Sequence, residues 1–139
     1  MDVAHVIQSA LAPVFLISGV GVMLGVLINR LARIVDRARA WEAEAAREPH
    51  RAQDFDERLQ VLARRSRYIS SAITMCAISA LLVALVVVAL FANAFLAANL
   101  AALIAILFVA AMLSLTGAFL AFLIEVRIAT ATIRIGHPR

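Results

Sequence analysis

The chain has 139 residues, of which 64% are hydrophobic, and its mean hydropathy is +0.96. Soluble domains are roughly 45–50% apolar, so this composition excludes an ordinary soluble protein and indicates one lipid-embedded domain. The formal net charge is +4, but seven acidic residues accompany the ten arginines of segment 30–67, so we expect no nucleic-acid partner. The single cysteine, Cys76, excludes an intramolecular disulfide and a Cys-x-x-Cys metal site.

The first apolar segment, residues 9–28, is long enough to cross a hydrocarbon core of ~30 Å as one helix. The residues before it contain no lysine or arginine, whereas a secretory signal begins with a basic region. We therefore expect a retained transmembrane helix. Pro13 is expected in its first turns, where a missing N–H costs least.

Small and polar residues recur along one face of this helix. They are Ser18, Gly21, Gly25 and Asn29. The two glycines, four residues apart, allow a second helix to approach closely. Two interpretations are open: the stripe packs against another helix, or it lines the pore of an oligomeric channel.

The helix is expected to continue past Asn29 into a charged hairpin, residues 29–68. Apolar residues follow steps of four and three along both arms, which is the pattern of a coiled-coil seam. The seam residues are Leu27, Leu31, Ile34, Ala38, Trp41 and Ala45 in the first arm, and Phe55, Leu59, Leu62, Ser66, Ile69 and Ile73 in the second. The pattern predicts an antiparallel coiled-coil hairpin, with Arg30, Arg33 and Arg37 facing away from the seam.

A turn at about 48–53 separates the two arms. Glu48 precedes Pro49, and the residue before a proline disfavours helix. Asp54 is then expected to cap the second arm, with Glu57 three residues later completing a capping box.

The segment from Tyr68 to Ile124 contains no charged residue. It is too long for one crossing and suits two. Asn93 and Asn99 mark a polar break, so the second transmembrane helix is expected at about 69–91 and the third at about 100–124. The predicted fold class is an all-α membrane protein with three transmembrane helices, the first two extended by a cytoplasmic coiled-coil hairpin.

The distribution of arginines predicts the orientation. Ten arginines lie in segment 30–67 and three follow the third helix, whereas the N-terminus and the turn at 92–99 contain none. Because basic loops stay on the cytoplasmic side, we expect the N-terminus outside and both the hairpin and the C-terminus in the cytoplasm.

No pattern in the chain is typical of catalysis. His5, His50 and His137 fall at one terminus, at the turn and at the other terminus, so they cannot share a metal ion. No catalytic-triad motif or phosphate-binding glycine loop is recognisable. We expect no enzymatic activity, no cofactor and no metal site.

Charged residues gather where the three helices are expected to meet the cytoplasmic surface. Glu125 is the lone acid there, so we expect it to pair with Arg30 or with one of Arg64, Arg65 and Arg67. Three roles are open for the cluster: a clamp on the third helix, contact with anionic lipid headgroups, or a charged ring at a pore mouth. The candidate residues are Asn29, Arg30, Arg33, Asp36, Arg37, Arg39, Arg64, Arg65, Arg67, Glu125 and Arg127.

Three stretches carry a resemblance to a known family. They read APVFLISGVGVMLGVLINRLARIVDRARAW, LARRSRYISSAI and FLIEVRIA. The chain resembles, over nearly its whole length, the bacterial membrane proteins catalogued as domain of unknown function 2721. The matching positions are Pro13, Asn29, Arg30, Arg33, Asp36, Arg37, Arg39, Arg64, Arg65, Glu125 and Arg127. The resemblance implies a bacterial membrane location and no known activity.

These patterns lead to two expectations about function. Three helices are too few to enclose a transport path, so the first expectation is a non-enzymatic homo-oligomer of the inner membrane. Its Arg-rich cytoplasmic hairpin would contact anionic lipid or a partner protein. The alternative is a homo-oligomeric ion channel, with Ser18, Gly21 and Gly25 lining the pore and Arg30 or Arg33 at its inner mouth.

Overall fold

A computed structural model describes residues 3–96 and 99–135. The described residues form three long α-helices and no strand: α1 is Val3–Arg47, α2 is Ala52–Phe95 and α3 is Ala101–Ile135. A short 3₁₀ turn, Pro49–Arg51, joins α1 to α2. Each long helix is long and apolar enough to cross a membrane, which confirms the predicted all-α class with three possible spans.

The apolar span of α1 and the first charged arm are one continuous helix of 45 residues. This helix begins at Val3, so Pro13 lies in its interior and not in its first turns as predicted. The early start has a packing reason, since Val6 and Ala10 are buried and thereby stabilise additional turns. Proline at this depth cannot donate a hydrogen bond to the carbonyl of Ser9, and the helix continues through it.

The predicted capping box at the start of α2 is wrong. Arg51 is the N-cap residue, and it makes no side-chain capping hydrogen bond. The 3₁₀ turn leads directly into α2 at Ala52, so Asp54 lies inside the first turn instead of before it. A carboxylate in that position still interacts favourably with the positive end of the helix dipole.

Buried side chains recur every seven residues along each helix. They are Val6, Pro13, Val20, Leu27 and Ile34 in α1, then Phe55, Leu62, Ile69, Cys76 and Val83 in α2, and Ala111, Ala118 and Glu125 in α3. Seven residues make nearly two helical turns, so each set lies on one face of its helix. In α3 a carboxylate therefore occupies a position where the preceding repeats have alanine.

The central helix, α2, packs antiparallel against both neighbours. Near the turn, the rings of Trp41 and Phe55 are in edge-to-face contact, with centroids 6.3 Å apart. At the far end Val6 and Leu90 line one small cavity, so α1 and α2 run together over nearly their full length. The helices α1 and α3 each pack chiefly against α2, not against each other.

Candidate functional site

The uncharged spans of the three helices end at one level of the structure. Arg30 is the first charged residue after the span of α1, Arg67 is the last before the span of α2, and Glu125 is the first after the span of α3. Both Arg30 and Arg65 form ion pairs with Glu125. The three helices therefore pass from apolar to charged sequence at the same place.

Glu125 is the centre of this charged cluster, and its side chain is fully buried. Its Oε2 atom accepts hydrogen bonds from Arg30 Nε at 3.0 Å and from Arg30 Nη2 at 2.7 Å. Its Oε1 atom accepts one from Arg65 Nε at 3.1 Å. The expected pairing of Glu125 with arginine is present, and one carboxylate of α3 connects α1 and α2.

The surroundings of Glu125 compensate the cost of burying a charge. An unpaired buried carboxylate is strongly unfavourable because it loses its hydration. Here both carboxylate oxygens have arginine partners, and no buried side-chain polar atom in the described part of the chain lacks a hydrogen-bond partner. The Arg30 guanidinium also lies 5.3 Å from the ring centroid of Phe122, so α3 supplies a cation–π contact as well.

Beside the ion pairs lies a crevice of about 240 Å³, called here the arginine crevice. It is lined by Arg30, Arg33, Ile34, Arg37, Arg65 and Ala129. All three helices contribute to its wall. Arg33 and Arg37 are exposed, and neither forms an ion pair with another described side chain. Four arginines and one paired glutamate give this region an excess of positive charge.

Arg30, Arg33 and Arg37 are predicted to face away from the seam with α2, and the one that pairs with the third helix is Arg30. Its side chain is only 32% exposed and is bound to Glu125. The reason is the position of α3, which returns past this side of α1. Hydrophobic spacing reports the face that meets α2, and it carries no information about a polar contact with a third helix.

A second basic cavity, of about 280 Å³, lies along α2. Its lining includes Arg64, Arg67, Tyr68 and Ser71. These positions share one face of a single helix, since they are spaced three and four residues apart. Arg64 and Arg67 are exposed, and neither contacts Glu125. Of the arginines at 64, 65 and 67 of α2, the one that pairs with Glu125 is Arg65.

The remaining candidates from the sequence do not join the ion pairs of Glu125. They are exposed at the surface of their helices, and they are Asn29, Asp36, Arg39 and Arg127. His137 lies outside the described residues. Within residues 3–96 and 99–135, no three His, Cys, Asp or Glu side chains are grouped so that they could hold a metal ion.

The small and polar stripe of α1 is also exposed, at Ser18, Gly21, Gly25 and Asn29. A Cβ atom added at Gly21 or Gly25 would meet no atom of the chain within 4 Å. The stripe therefore faces away from α2 and α3. Both interpretations of it, helix packing and pore lining, would require a second chain.

Sequence reasoning missed the polar contacts between α2 and α3. The Oγ atom of Ser79 donates to the carbonyl of Ala111 at 2.9 Å, and the Oγ atom of Ser114 donates to the carbonyl of Met75 at 2.7 Å. A Cβ atom at Gly117 would lie 2.8 Å from the Met75 sulfur, so the helices approach closely there. The available signal was the spacing of small residues along α3, at Ala111, Ser114, Gly117 and Ala118.

The opposite end of the bundle is apolar and open. A cavity of about 580 Å³ there is lined mostly by alanine and larger apolar side chains of all three helices. Asn93, which marks the predicted break between the second and third spans, accepts a hydrogen bond from the backbone N–H of Leu100 at 3.0 Å. Its side chain therefore helps to close the connection between α2 and α3.

The class follows from these features: an all-α protein whose three helices can each cross a membrane, with an ionic cluster where the apolar spans end. A family model described as "Protein of unknown function (DUF2721)" matches residues 10–135. The chain belongs to this family, which confirms the resemblance seen in its sequence. No curated protein and no solved structure matches the chain.

Proposed function

We propose that this protein is a non-enzymatic homo-oligomer of the bacterial inner membrane whose Arg-rich hairpin binds anionic lipid headgroups. The observation that carries the proposal is the group of arginines at the level where the three apolar spans end. Lipid phosphates lie at this level of a bilayer, and they attract juxtamembrane basic residues by about 1 kcal/mol each. An acidic partner protein is the other candidate for the same arginines.

Lipid selectivity tests this function directly. The full-length chain is reconstituted in vesicles of phosphatidylcholine and phosphatidylglycerol in a 4:1 ratio, then extracted in polymer discs with its surrounding lipid. The attraction of several arginines should enrich phosphatidylglycerol in the discs about threefold over the bulk membrane. A disc composition equal to that of the bulk membrane would exclude headgroup binding.

The hairpin, residues 29–68, is proposed to be an antiparallel coiled coil that projects from the membrane. Burial along the two arms supports this, because Ile34, Phe55 and Leu62 are buried and Trp41 is partly buried. The Arg58 guanidinium lies 4.6 Å from the centroid of the Trp41 ring and covers it from the solvent side. Such an arm holds its arginines in fixed positions relative to the membrane surface.

The proposed orientation has the N-terminus outside and both the hairpin and the C-terminus in the cytoplasm, since the arginine-rich segments should remain inside. In a Cys76→Ser background, single cysteines are introduced at exposed Ala46 or at exposed Leu96. A membrane-impermeant maleimide added to intact spheroplasts should label the cysteine at 96 and spare the one at 46. The reverse pattern would invert the topology.

Self-association is proposed to use the exposed stripe that contains Gly21 and Gly25, since close helix approach needs small residues. Counting photobleaching steps of labelled protein in dilute liposomes measures the number of chains per complex. More than one step per complex is expected. Single steps at every protein-to-lipid ratio would contradict the assembly.

An oligomeric ion channel is the second candidate. The favouring observation is that Ser18, Gly21 and Asn29 are exposed on one side of α1, away from the other helices of the chain. Around a symmetry axis this stripe would line a pore, and Arg30 beside it would favour anions. Chloride flux into liposomes that Gly21→Leu abolishes would support the channel, and an absence of flux across a range of voltages would exclude it.

A further inference from the structure

We propose that the arginine crevice is a specific binding site for one phosphate group, held jointly by Arg30, Arg33, Arg37 and Arg65. This inference rests on the proposed lipid function and goes beyond it, because it assigns a defined pocket and a ligand chemistry. General attraction between a basic surface and an anionic membrane needs no pocket. The crevice, by contrast, brings residues of all three helices around one space of about 240 Å³.

Two of the four guanidiniums are already oriented. Arg30 and Arg65 are fixed by their hydrogen bonds to Glu125 and are 32% and 14% exposed. These bonds use Nε of both arginines and Nη2 of Arg30. A guanidinium carries N–H groups on all three nitrogens, so donor capacity remains on the side that lines the crevice. Binding of an anion there therefore costs less arginine side-chain entropy than binding to arginines that are free to rotate.

The other two guanidiniums can close on the ligand. Arg33 and Arg37 lie one helical turn apart on α1, and both are exposed. No described carboxylate forms an ion pair with either of them. Asp36 lies between them in sequence, but it is exposed and does not line the crevice. They are therefore free to move toward an anion held by Arg30 and Arg65.

The charge of the crevice suits an anion with more than one negative charge. Its wall holds four arginines, and the one buried carboxylate beside it, Glu125, offsets a single positive charge. Phosphate oxygens point in several directions, so guanidiniums that approach from different helices can each donate to a different oxygen. A planar carboxylate would satisfy only one or two of them.

Size and depth point to the same chemistry. The crevice is smaller than the roughly 300–1,000 Å³ of drug-sized ligand pockets, so it accommodates a headgroup and not a large metabolite. Its apolar wall is formed by Ile34 and Ala129. It adjoins the residue at which the uncharged span of α1 ends, Arg30, which is the level of lipid phosphates. A phosphomonoester lipid or a soluble phosphate could supply the same group.

A charge-matched pair of variants separates the crevice from the general basic surface. Arg33→Gln/Arg37→Gln removes two exposed crevice arginines, and Arg64→Gln/Arg67→Gln removes two exposed arginines of the other basic cavity. Arg64 and Arg67 lie within about 3 Å of Arg65 along α2, close to the level where the uncharged spans end, whereas Arg37 lies about 10 Å beyond Arg30 along α1. If attraction to the membrane surface alone mattered, the control variant would therefore weaken lipid binding at least as much.

The measurement is native mass spectrometry of the full-length chain in detergent, titrated with phosphatidic acid and, separately, with phosphatidylcholine. In a third arm inorganic phosphate is titrated alone, and it is also added as a competitor of phosphatidic acid. Loss of two contacts should weaken phosphatidic acid binding about 30-fold in Arg33→Gln/Arg37→Gln. We expect the control variant to lose less than about threefold through long-range attraction, which salt screens. Trp41 emission, which reports the hairpin, should be unchanged in both.

The outcomes separate this site from the proposed function. Equal losses in both variants would overturn the crevice site and leave general headgroup binding intact. Wild-type protein that bound phosphatidic acid no better than phosphatidylcholine would overturn the lipid function. If inorganic phosphate nevertheless bound the wild type but not Arg33→Gln/Arg37→Gln, the phosphate site would stand with a soluble ligand.

Discussion

The two long helix contacts of this protein are built from different side chains. Between α1 and α2 the buried residues are large, and they include Leu27, Ile34, Phe55 and Leu62. Between α2 and α3 the contact uses small residues and serine hydroxyls, such as Ser79 with the carbonyl of Ala111. The first contact extends well past the uncharged spans, to Trp41 and Phe55, whereas the described buried residues of α3 end at Glu125.

The proposed membrane placement accounts for this difference, because it puts the hairpin in water and the uncharged spans in lipid. In water, burial of large apolar side chains drives helix association at about 25 cal/mol per Å². In lipid that driving force is absent, so helices associate through close packing and hydrogen bonds. With that placement, the α1–α2 contact would use the first mechanism in the hairpin, and the α2–α3 contact would depend on the second.

Glu125 connects the two kinds of contact. Through Arg65 it fixes α3 to α2, and through Arg30 it fixes α3 to α1. These ion pairs lie where the small-residue contact between α2 and α3 ends and where the charged hairpin begins. One carboxylate thus binds α3 to both helices of the hairpin.

Removing this carboxylate should have the largest effect on stability. Glu125→Ala leaves two partly buried guanidiniums without a partner, so we expect a loss of about 3–5 kcal/mol. Thermal unfolding of the purified chain in detergent, followed by circular dichroism, measures the change. The control is Glu42→Ala, an exposed acid on α1, which should unfold like the wild type. A Glu125→Ala protein within 1 kcal/mol of the wild type would show that the ion pairs of Glu125 are not structural.

Hydropathy and spacing predict much of this fold from the sequence. The three spans follow from the uncharged runs, and the pairing of Glu125 follows from its being the one acid beside many arginines. The choice among Arg64, Arg65 and Arg67 does not follow, because it depends on how α2 rotates when it packs against α3. Neighbouring residues on a helix differ by about 100° in direction, so that rotation decides which arginine reaches Glu125.

The α2–α3 contact was harder to predict for a physical reason. Almost every position of α3 up to Ile124 is apolar or small, so the side toward lipid and the side toward protein have the same hydropathy. Periodicity therefore carries little signal there. Small residues such as Gly117 remain as a guide, since Gly117 leaves the space that the Met75 side chain of α2 occupies.

Gly117 and Gly21 allow a packing contact within the chain to be compared with a surface that is open to a second chain. Gly117→Val places its side chain against the Met75 sulfur, which belongs to the flexible end of a partly exposed side chain, so the overpacking should cost only about 1 kcal/mol of stability. Met75→Ala in the same chain should restore most of it. Gly21→Val meets open space, so it should leave unfolding in detergent unchanged while lowering the number of chains per complex in liposomes. Equal destabilisation by both valines would contradict the packing.

The smallest expected effect concerns a single hydroxyl. Ser79→Ala removes the hydrogen bond to Ala111, and interhelical bonds of this kind contribute about 0.6 kcal/mol in membranes. Thr116→Ala is the matched control, because the Thr116 hydroxyl bonds to Met112 of its own helix and should not affect association. If α2 and α3 depend on polar contacts, Ser79→Ala lowers the unfolding temperature and Thr116→Ala does not. Equal shifts in the two variants would assign the contact to small-residue packing alone.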